Sequence, residues 1–357
     1  MSNLVVKIKH NADLTDLLSK AVLVAKYAIK NRYALSSKNV SDIGLPSAIS
    51  NQVLRKYGKN KRCKKINPQK IKLVAPSQSI KIDGNVISIT PLKLKLTNES
   101  KYTITKINQI ELDAVYAYVC FEQQDQPQKQ VKNWIGVDLN ATSHCAVVAN
   151  PQTGKVVKLG KQAPHIHQKY KKLRSLLQKD QLFRKLKQTK GRESRIVKDI
   201  NHKIANRIIH IAIETDSGIK LEDLTGIRSN KKNRKSFRYA LHSWSYYQLG
   251  QIICYKALLA GIPVAYIEPA YTSKNCSRCG VLGKRNGKVF KCGNCGHTDH
   301  ADANAGFNIS MRSPLVGSSK TEIVGNGDTD TPMMQFNDVP RKTIVETSEP
   351  PMLQLGE

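Results

Sequence analysis

Acidic residues are scarce in this chain. Its 357 residues carry 27 Asp and Glu against 58 Lys and Arg, a formal net charge of +31. So large an excess destabilises a compact state by self-repulsion unless a polyanion neutralises it. An enzyme without a charged partner is thereby disfavoured, and nucleic acid is the expected partner, because phosphates take Lys and Arg contacts. Long apolar runs are also missing. No stretch reaches the roughly 20 apolar residues that a membrane span needs, so no membrane partner is expected. Met1 to His10 alternates without an apolar core, so no secretory leader is expected there. Patterned cysteines are few. Of eight, Cys63, Cys120, Cys145 and Cys254 stand among apolar neighbours and read as ordinary thiols. That excludes a disulfide scaffold and points to a reducing, cytoplasmic compartment.

The length suits two or three domains. Leu4 to Lys9 alternates as a half-buried strand does. An amphipathic helix follows, with Asp13 as its N-cap and Leu14, Leu17, Leu18, Ala21, Ala25 and Ile29 on one face. Gly44-Leu45-Pro46 breaks the chain, and a second helix is expected over Ala48 to Tyr57. Lys59, Lys61, Arg62 and Lys64 make a basic loop. Period two then dominates from Lys70 to Glu122. Ile80 to Ile89 reads as a hairpin around Asp83-Gly84, and Leu92 to Leu96 and Val115 to Phe121 read as strands. This part predicts a small β-barrel or an open sheet, with helices inserted after its first strand. Gln123 to Gln130 is a polar linker.

Beyond the linker the pattern is α/β. Trp134 to Asn140, Cys145 to Asn150 and Val156 to Leu159 read as three strands. Lys161 to Arg207 reads as long and helical, with 15 Lys or Arg against Asp180, Glu193 and Asp199. A charge bias this strong suits a nucleic-acid backbone. Tyr170, Phe183, Tyr246 and Tyr247 could stack bases, although Trp244 and Tyr247 read as core. His165 and His167 read as solvated or phosphate-contacting. Ala205 to Glu214 continues as a helix, Gly218 to Leu224 as a strand, Tyr239 to Leu259 as a helix and Ile262 to Ile267 as a strand. Arg228 to Arg238 reads as a basic, irregular stretch. This order predicts an RNase H-like core, a mixed sheet flanked by helices. After Ser310 the composition turns to Ser, Thr, Pro and acids, as in a disordered tail.

The strongest local signal is Cys276-x-x-Cys279-Gly followed by Cys292-x-x-Cys295-Gly. Each knuckle presents two thiolates, and the pair predicts one tetrahedral, closed, structural Zn²⁺. Three carboxylates fall where a two-metal nuclease needs them: Asp138 on a strand, Glu222 at a strand end, and Asp302 opening a small-residue helix over Ala301 to Ile309. Taken singly they read as a turn residue, a solvated strand end and a helix cap. Taken in this order, around the cysteine knuckles, they suit phosphodiester hydrolysis with two Mg²⁺ ions. Asp223 should point away from Glu222 on its strand, and Asp299 should bond locally.

Together these strings resemble the TnpB family, nucleases of insertion sequences related to type V CRISPR effectors. The matching elements are Ile-Gly-Val-Asp138-Leu-Asn, Leu-Glu222-Asp-Leu, Tyr-Thr-Ser-Lys-Asn-Cys276-Ser-Arg-Cys279-Gly, Cys292-Gly-Asn-Cys295-Gly and Asp302-Ala-Asn-Ala, over about residues 132–310. The resemblance implies a multidomain α+β protein. A wedge-like β-barrel would take residues 1–10 and 60–125, with a helical recognition insert at 11–59. An RNase H-like RuvC domain would take 131–270 and 298–312, with the zinc ribbon at 271–297 and a tail at 313–357. It implies an RNA-guided DNA endonuclease of a prokaryotic cytoplasm, close to the nucleoid, with Asp138, Glu222 and Asp302 as RuvC-type catalytic acids. Its partners would be a guide RNA, the target duplex and the displaced single strand, with a short flanking motif read by the N-terminal part. The insert is short, which leaves room for a larger RNA or a dimer to compensate. Two other classes fit parts of the pattern: a guided repressor that binds without cutting, and a transposition-associated DNA-processing protein.

Overall fold

The computed structural model describes residues 2–32, 35–60, 62–100, 102–124, 126–141, 143–225 and 245–315. They fall into two compact units, the first ending at Gln124. Trp244, Lys61, the stretch 228–238 and residues 316–357 lie outside the described residues.

In the first unit, β1 (Ser2–Lys9) pairs antiparallel with β7 (Tyr116–Gln123), Leu4 facing Phe121. β6 (Ile107–Leu112) and β2 (Leu73–Pro76) complete a four-stranded sheet of order β1-β7-β6-β2. β3 (Ile80–Asp83), β4 (Val86–Ile89) and β5 (Leu94–Thr97) form a separate meander. Pro76 and a 3₁₀ turn at Ser77–Ser79 redirect the chain between the two sheets. Of the expected alternatives, the ladders are therefore open sheets; no barrel closure joins them among the described residues. Between β1 and β2 run α1 (Thr15–Lys30) and α2 (Ser47–Gly58). α1 starts one residue later than Asp13 as N-cap requires. Asp13 still accepts from the Thr15 amide at 2.9 Å, from one position further out.

The second unit is built on a five-stranded sheet of order β10-β9-β8-β11-β12. β8 (Asn133–Leu139), β9 (Ala146–Ala149) and β10 (Val156–Leu159) form an antiparallel meander. β11 (Ser217–Glu222) lies parallel to β8, and β12 (Val264–Ile267) parallel to β11. Parallel neighbours need long crossovers. The basic region provides the first of them, but as three helices: α3 (Gln162–Lys179), α4 (Phe183–Thr189) and α5 (Arg192–Glu214). One break lies at Gln181, which adopts a left-handed φ of 54°. There the Leu182 amide donates to the Leu177 carbonyl and the Gln181 amide to the Gln178 carbonyl, a Schellman stop made without glycine. The other break lies at Gly191, φ 77°. α6 (Tyr246–Leu259) packs on α5. Tyr247, expected in the core, is 51% exposed. His167 is held at 2.6 Å by Glu193, which also pairs with Arg174, so it is neither solvated nor free for phosphate.

The last helix, α7 (Ala301–Met311), lies against β8, β9 and β11. Its closest approach is glycine on glycine. A Cβ on Gly136 of β8 would stand 2.0 Å from the Gly306 carbonyl oxygen, and one on Gly306 would stand 2.9 Å from the Ala149 Cβ. Lys220 of β11 is buried and spends its ammonium on the end of this helix, donating to Ser310 O at 2.8 Å and Arg312 O at 2.6 Å. Arg312 in turn donates to the carbonyls of Glu268 and Ala270. The chain stays bonded as far as Leu315, whose amide reaches Tyr266 O.

Gly136→Ala is expected to force α7 off β8. Overpacking of this kind costs about 3 kcal/mol, which lowers the melting transition of a unit this size by roughly 6–12 °C. A thermal melt of the purified variant measures it. An unchanged transition would mean that the helix does not sit on this strand.

Candidate functional site

The register of β8 and β11 places two carboxylates side by side. Leu221 pairs with Val137 in the parallel ladder. The next residues, Glu222 and Asp138, are therefore neighbours on adjacent strands and share a face. The third carboxylate arrives on α7. Period two puts Gly136 and Asp138 on one face of β8, and a spacing of four puts Asp302 and Gly306 on one face of α7. Because Gly306 abuts Gly136, the preceding helical turn brings Asp302 to Asp138. The electrostatics agree: Asp138 feels the charges of both Glu222 and Asp302.

Little solvent reaches these groups. Asp138 is 8% exposed and Asp302 1%. Burial, and then the Glu222 and Asp302 charges, push the Asp138 carboxyl up to about 7, against the pull of an Asn140 amide at 2.8 Å. Burial also raises the Glu222 pKa, opposed by the Thr272 hydroxyl, which donates to it at 2.5 Å. Asp302 receives Lys288 Nζ on Oδ2 at 2.5 Å and Arg285 Nη2 near Oδ1 at 3.6 Å. Its Oδ1 has no hydrogen-bond partner among the described residues. Asp138 and Asp302 are buried and Glu222 is half-buried, the charges of Glu222 and Asp302 oppose that of Asp138, and one Asp302 carboxylate oxygen is left unsatisfied. Hard divalent cations with oxygen ligands answer both deficits.

The cysteines lie beside this site in sequence and are joined to it by hydrogen bonds. β13 (Lys284–Asn286), β14 (Val289–Lys291) and β15 (Thr298–His300) make a small antiparallel sheet. All four sulfurs of Cys276, Cys279, Cys292 and Cys295 lie within 4.8 Å of one another, with Cys276–Cys295 and Cys279–Cys292 each 3.6 Å apart. Tetrahedral Zn–S bonds set sulfurs about 3.8 Å apart, so the quartet fits one such ion. Among the described residues no other group of three or more ligand side chains is as tight.

All seven predicted site residues therefore fall into two clusters, three acids and four thiols. Asp223 turns away and caps Thr225, and Asp299 bonds locally to the His300 amide. Sequence reasoning missed the supporting residues. Asn304 and Asn308 of α7 stitch the segment before the cysteines to the helix: Asn304 Nδ2 reaches Asn275 O at 2.7 Å and Asn308 Nδ2 reaches Thr272 O at 2.7 Å. Thr272, Asn304 and Asn308 were visible only as letters near motifs. Lys288 and Arg285 gave no signal, because a hairpin turns them back onto Asp302.

The Asp138 shift has a measurable sign. Its folded pKa lies above the unfolded value of 3.8, so its contribution to stability is complete below that value and is lost as pH rises to about 7. In magnesium-free buffer Asp138→Asn is expected to raise the melting temperature above pH 7 by an amount that shrinks towards pH 4. An equal effect at every pH would show that the carboxyl is not perturbed.

A family profile described as "Cas12f1-like, TNB domain" matches residues 246–309. TnpB-like protein MJ0751 of Methanocaldococcus jannaschii is 31% identical over 271 residues, which are 72% of this chain and 95% of that protein. The CRISPR-associated endodeoxyribonuclease Cas12f1 of Sulfoacidibacillus thermotolerans is 38% identical over 137 residues, 37% of this chain and 31% of the relative, so the chain spans less than a third of it. Among solved structures, the Cas12f1-sgRNA-target DNA complex is 16% identical, covers 87% of this chain and 99% of its own, and has a TM-score of 0.43. An identity of 31% over nearly the whole of a TnpB-like protein settles the kinship: this chain belongs to the TnpB family.

Proposed function

We propose that this chain is an RNA-guided DNA endonuclease with a magnesium-dependent site of the RuvC type. The observation that carries this reading is the convergence of Asp138, Glu222 and Asp302 on the ends of two parallel strands and the start of α7. Relatives bear the names CRISPR-associated endodeoxyribonuclease and putative RNA-guided DNA endonuclease, which supports the same reading. The strand order of the second unit, with β9 antiparallel to its neighbours, suits an RNase H-like domain over residues 131–270 and 298–312. The segment 271–297 then serves as a zinc ribbon. Residues 1–10 and 60–125 serve as the wedge-like part, and 11–59 as the recognition insert. In the first unit a groove of about 890 Å³ is lined by Arg55 and Lys59 with Asn51 and Gln52, while Arg32 beside them is spent on the carbonyls of Ile29, Asn60 and Cys63. Cations and amides together suit the backbone and base edges of target DNA.

Asp138, Glu222 and Asp302 would hold the magnesium ions. When bound, magnesium supplies Lewis-acid activation of water and stabilises the leaving oxygen. The chain's own residues prepare for this. Asn140 and Thr272 fix the orientation of the Asp138 and Glu222 carboxylates. Lys288 and Arg285 offset the charge of Asp302 and bring cations to where a phosphodiester must lie. The buried setting excludes bulk water and strengthens each of these interactions. Zinc would be held by four thiolates with no open position, and so would brace the site without taking part in the reaction.

Expression with the native flanking DNA is expected to yield a discrete co-purifying RNA. Programmed with it, the chain should cut a plasmid library in Mg²⁺, and Asp138→Ala should abolish cutting while keeping the RNA. Tight RNA-directed binding without cutting by the unaltered chain would favour a repressor. No discrete RNA would overturn guidance altogether.

Metal analysis of the purified chain is expected to find one zinc per molecule. Cys279→Ser and Cys295→Ser should each lower that content and the melting temperature. Full occupancy in both variants would remove these cysteines from the ligand set.

A further inference from the structure

The elbow between α3 and α4 carries an exposed aromatic ring among unpaired cations. Phe183 is 63% exposed and Leu176 58%, and Leu182 beside them is also exposed. The elbow is not a loose loop. Besides the two bonds of the Schellman stop, the Asp180 amide donates to Leu176 O, the Phe183 amide to Gln181 O and the Leu186 amide to Leu182 O. Leu177 is buried beneath it. The backbone therefore holds the Phe183 ring outward. A ring left in water by a rigid turn is an unused apolar surface.

Charge decides what can cover it. Lys179, Arg184, Lys185 and Lys187 lie within four residues of Phe183 in the chain, all exposed and none in an ion pair among the described residues. From 169 to 190 the only acid is Asp180. A second copy would bring like charge to like, at a formal +31 per chain. Nucleic acid brings phosphates for the cations and a base face for the ring. Position decides which nucleic acid. α3 begins where the chain leaves the edge strand β10 and spans 18 residues, so its far end lies about 27 Å from that starting point. The cleaved strand must reach the carboxylates on β8, two strands further in. A base held at the elbow belongs to a partner that stays bound away from the cut.

We propose that the α3–α4 elbow binds an unpaired base of the guide RNA, with Phe183 as the stacking platform and Lys179, Arg184, Lys185 and Lys187 on the flanking phosphates. This rests on the guided-nuclease reading. Loss of one base stack is worth about 5-fold or more in affinity.

The test uses the full chain and the RNA that co-purifies with it. Ultraviolet crosslinking of the complex, followed by peptide mass analysis, is expected to join the Phe183 peptide to an unpaired nucleotide of that RNA. Phe183→Ala is expected to weaken RNA binding about 5-fold or more, with Phe183→Trp close to the unaltered chain. The melting temperature should hold, since the ring is exposed. Affinity for duplex DNA without RNA should change less than about twofold, because stacking needs a free base face. The inference is overturned by unchanged RNA affinity, by a crosslink to DNA instead, or by a change in oligomeric mass with Phe183→Ala. If no RNA co-purifies, the guided-nuclease reading itself has failed, which is a distinct result.

Discussion

Three carboxylates taken out of water beside one another repel, and the second unit is organised around holding them there. Burial penalises each charge, and proximity penalises all three together. The fold meets this with hydrogen-bonded ladders and packing rather than with salt bridges alone. Asp138 and Glu222 are fixed by a parallel ladder, which cannot yield at one rung without disturbing the rest. Asp302 is fixed by a helix seated glycine to glycine on the strand below. Lys220 secures the far end of that helix from within the sheet. The cost of the acid cluster is thus spread over elements that are themselves well packed.

The cysteine segment enters the same system. Asn304 and Asn308 tie the chain before Cys276 to α7, and Thr272 ties it to Glu222. Phe290 and Ala301 share a small core with Cys276 and Cys292. The residue that opens the acidic helix is therefore packed against two of the thiols. A metal held by those thiols would rigidify the start of α7, and Asp302 is the next residue.

Much of this was legible before any coordinates. The paired knuckles showed because four thiols at that spacing have few other uses. The acids showed because each falls at the end or start of a periodic segment. The five strands of the larger sheet showed because each is a short apolar run bounded by polar residues. What stayed hidden was long-range or conformational. The contact between Gly136 and Gly306 joins residues that are unremarkable alone. Lys288 acquires its partner only when a hairpin folds. The breaks at Gln181 and Gly191 were masked by a composition basic throughout, and glutamine is not a residue that announces a left-handed turn. His167 read as solvated because Glu193, its partner, lies on another helix. In the first unit, alternation revealed strands but not which strands pair, so barrel and open sheet could not be told apart.

The parallel pairing of β8 with β11 has one more consequence. Side chains on a strand alternate between faces, so a slip of one residue would turn Glu222 to the opposite side of the sheet. In one direction the slip would set Asp223 beside Asp138, a carboxylate one methylene shorter; in the other it would leave Leu221 there and no acid on that rung. Register, and not only the presence of adjacent acids in the chain, therefore decides which carboxylate the sheet presents.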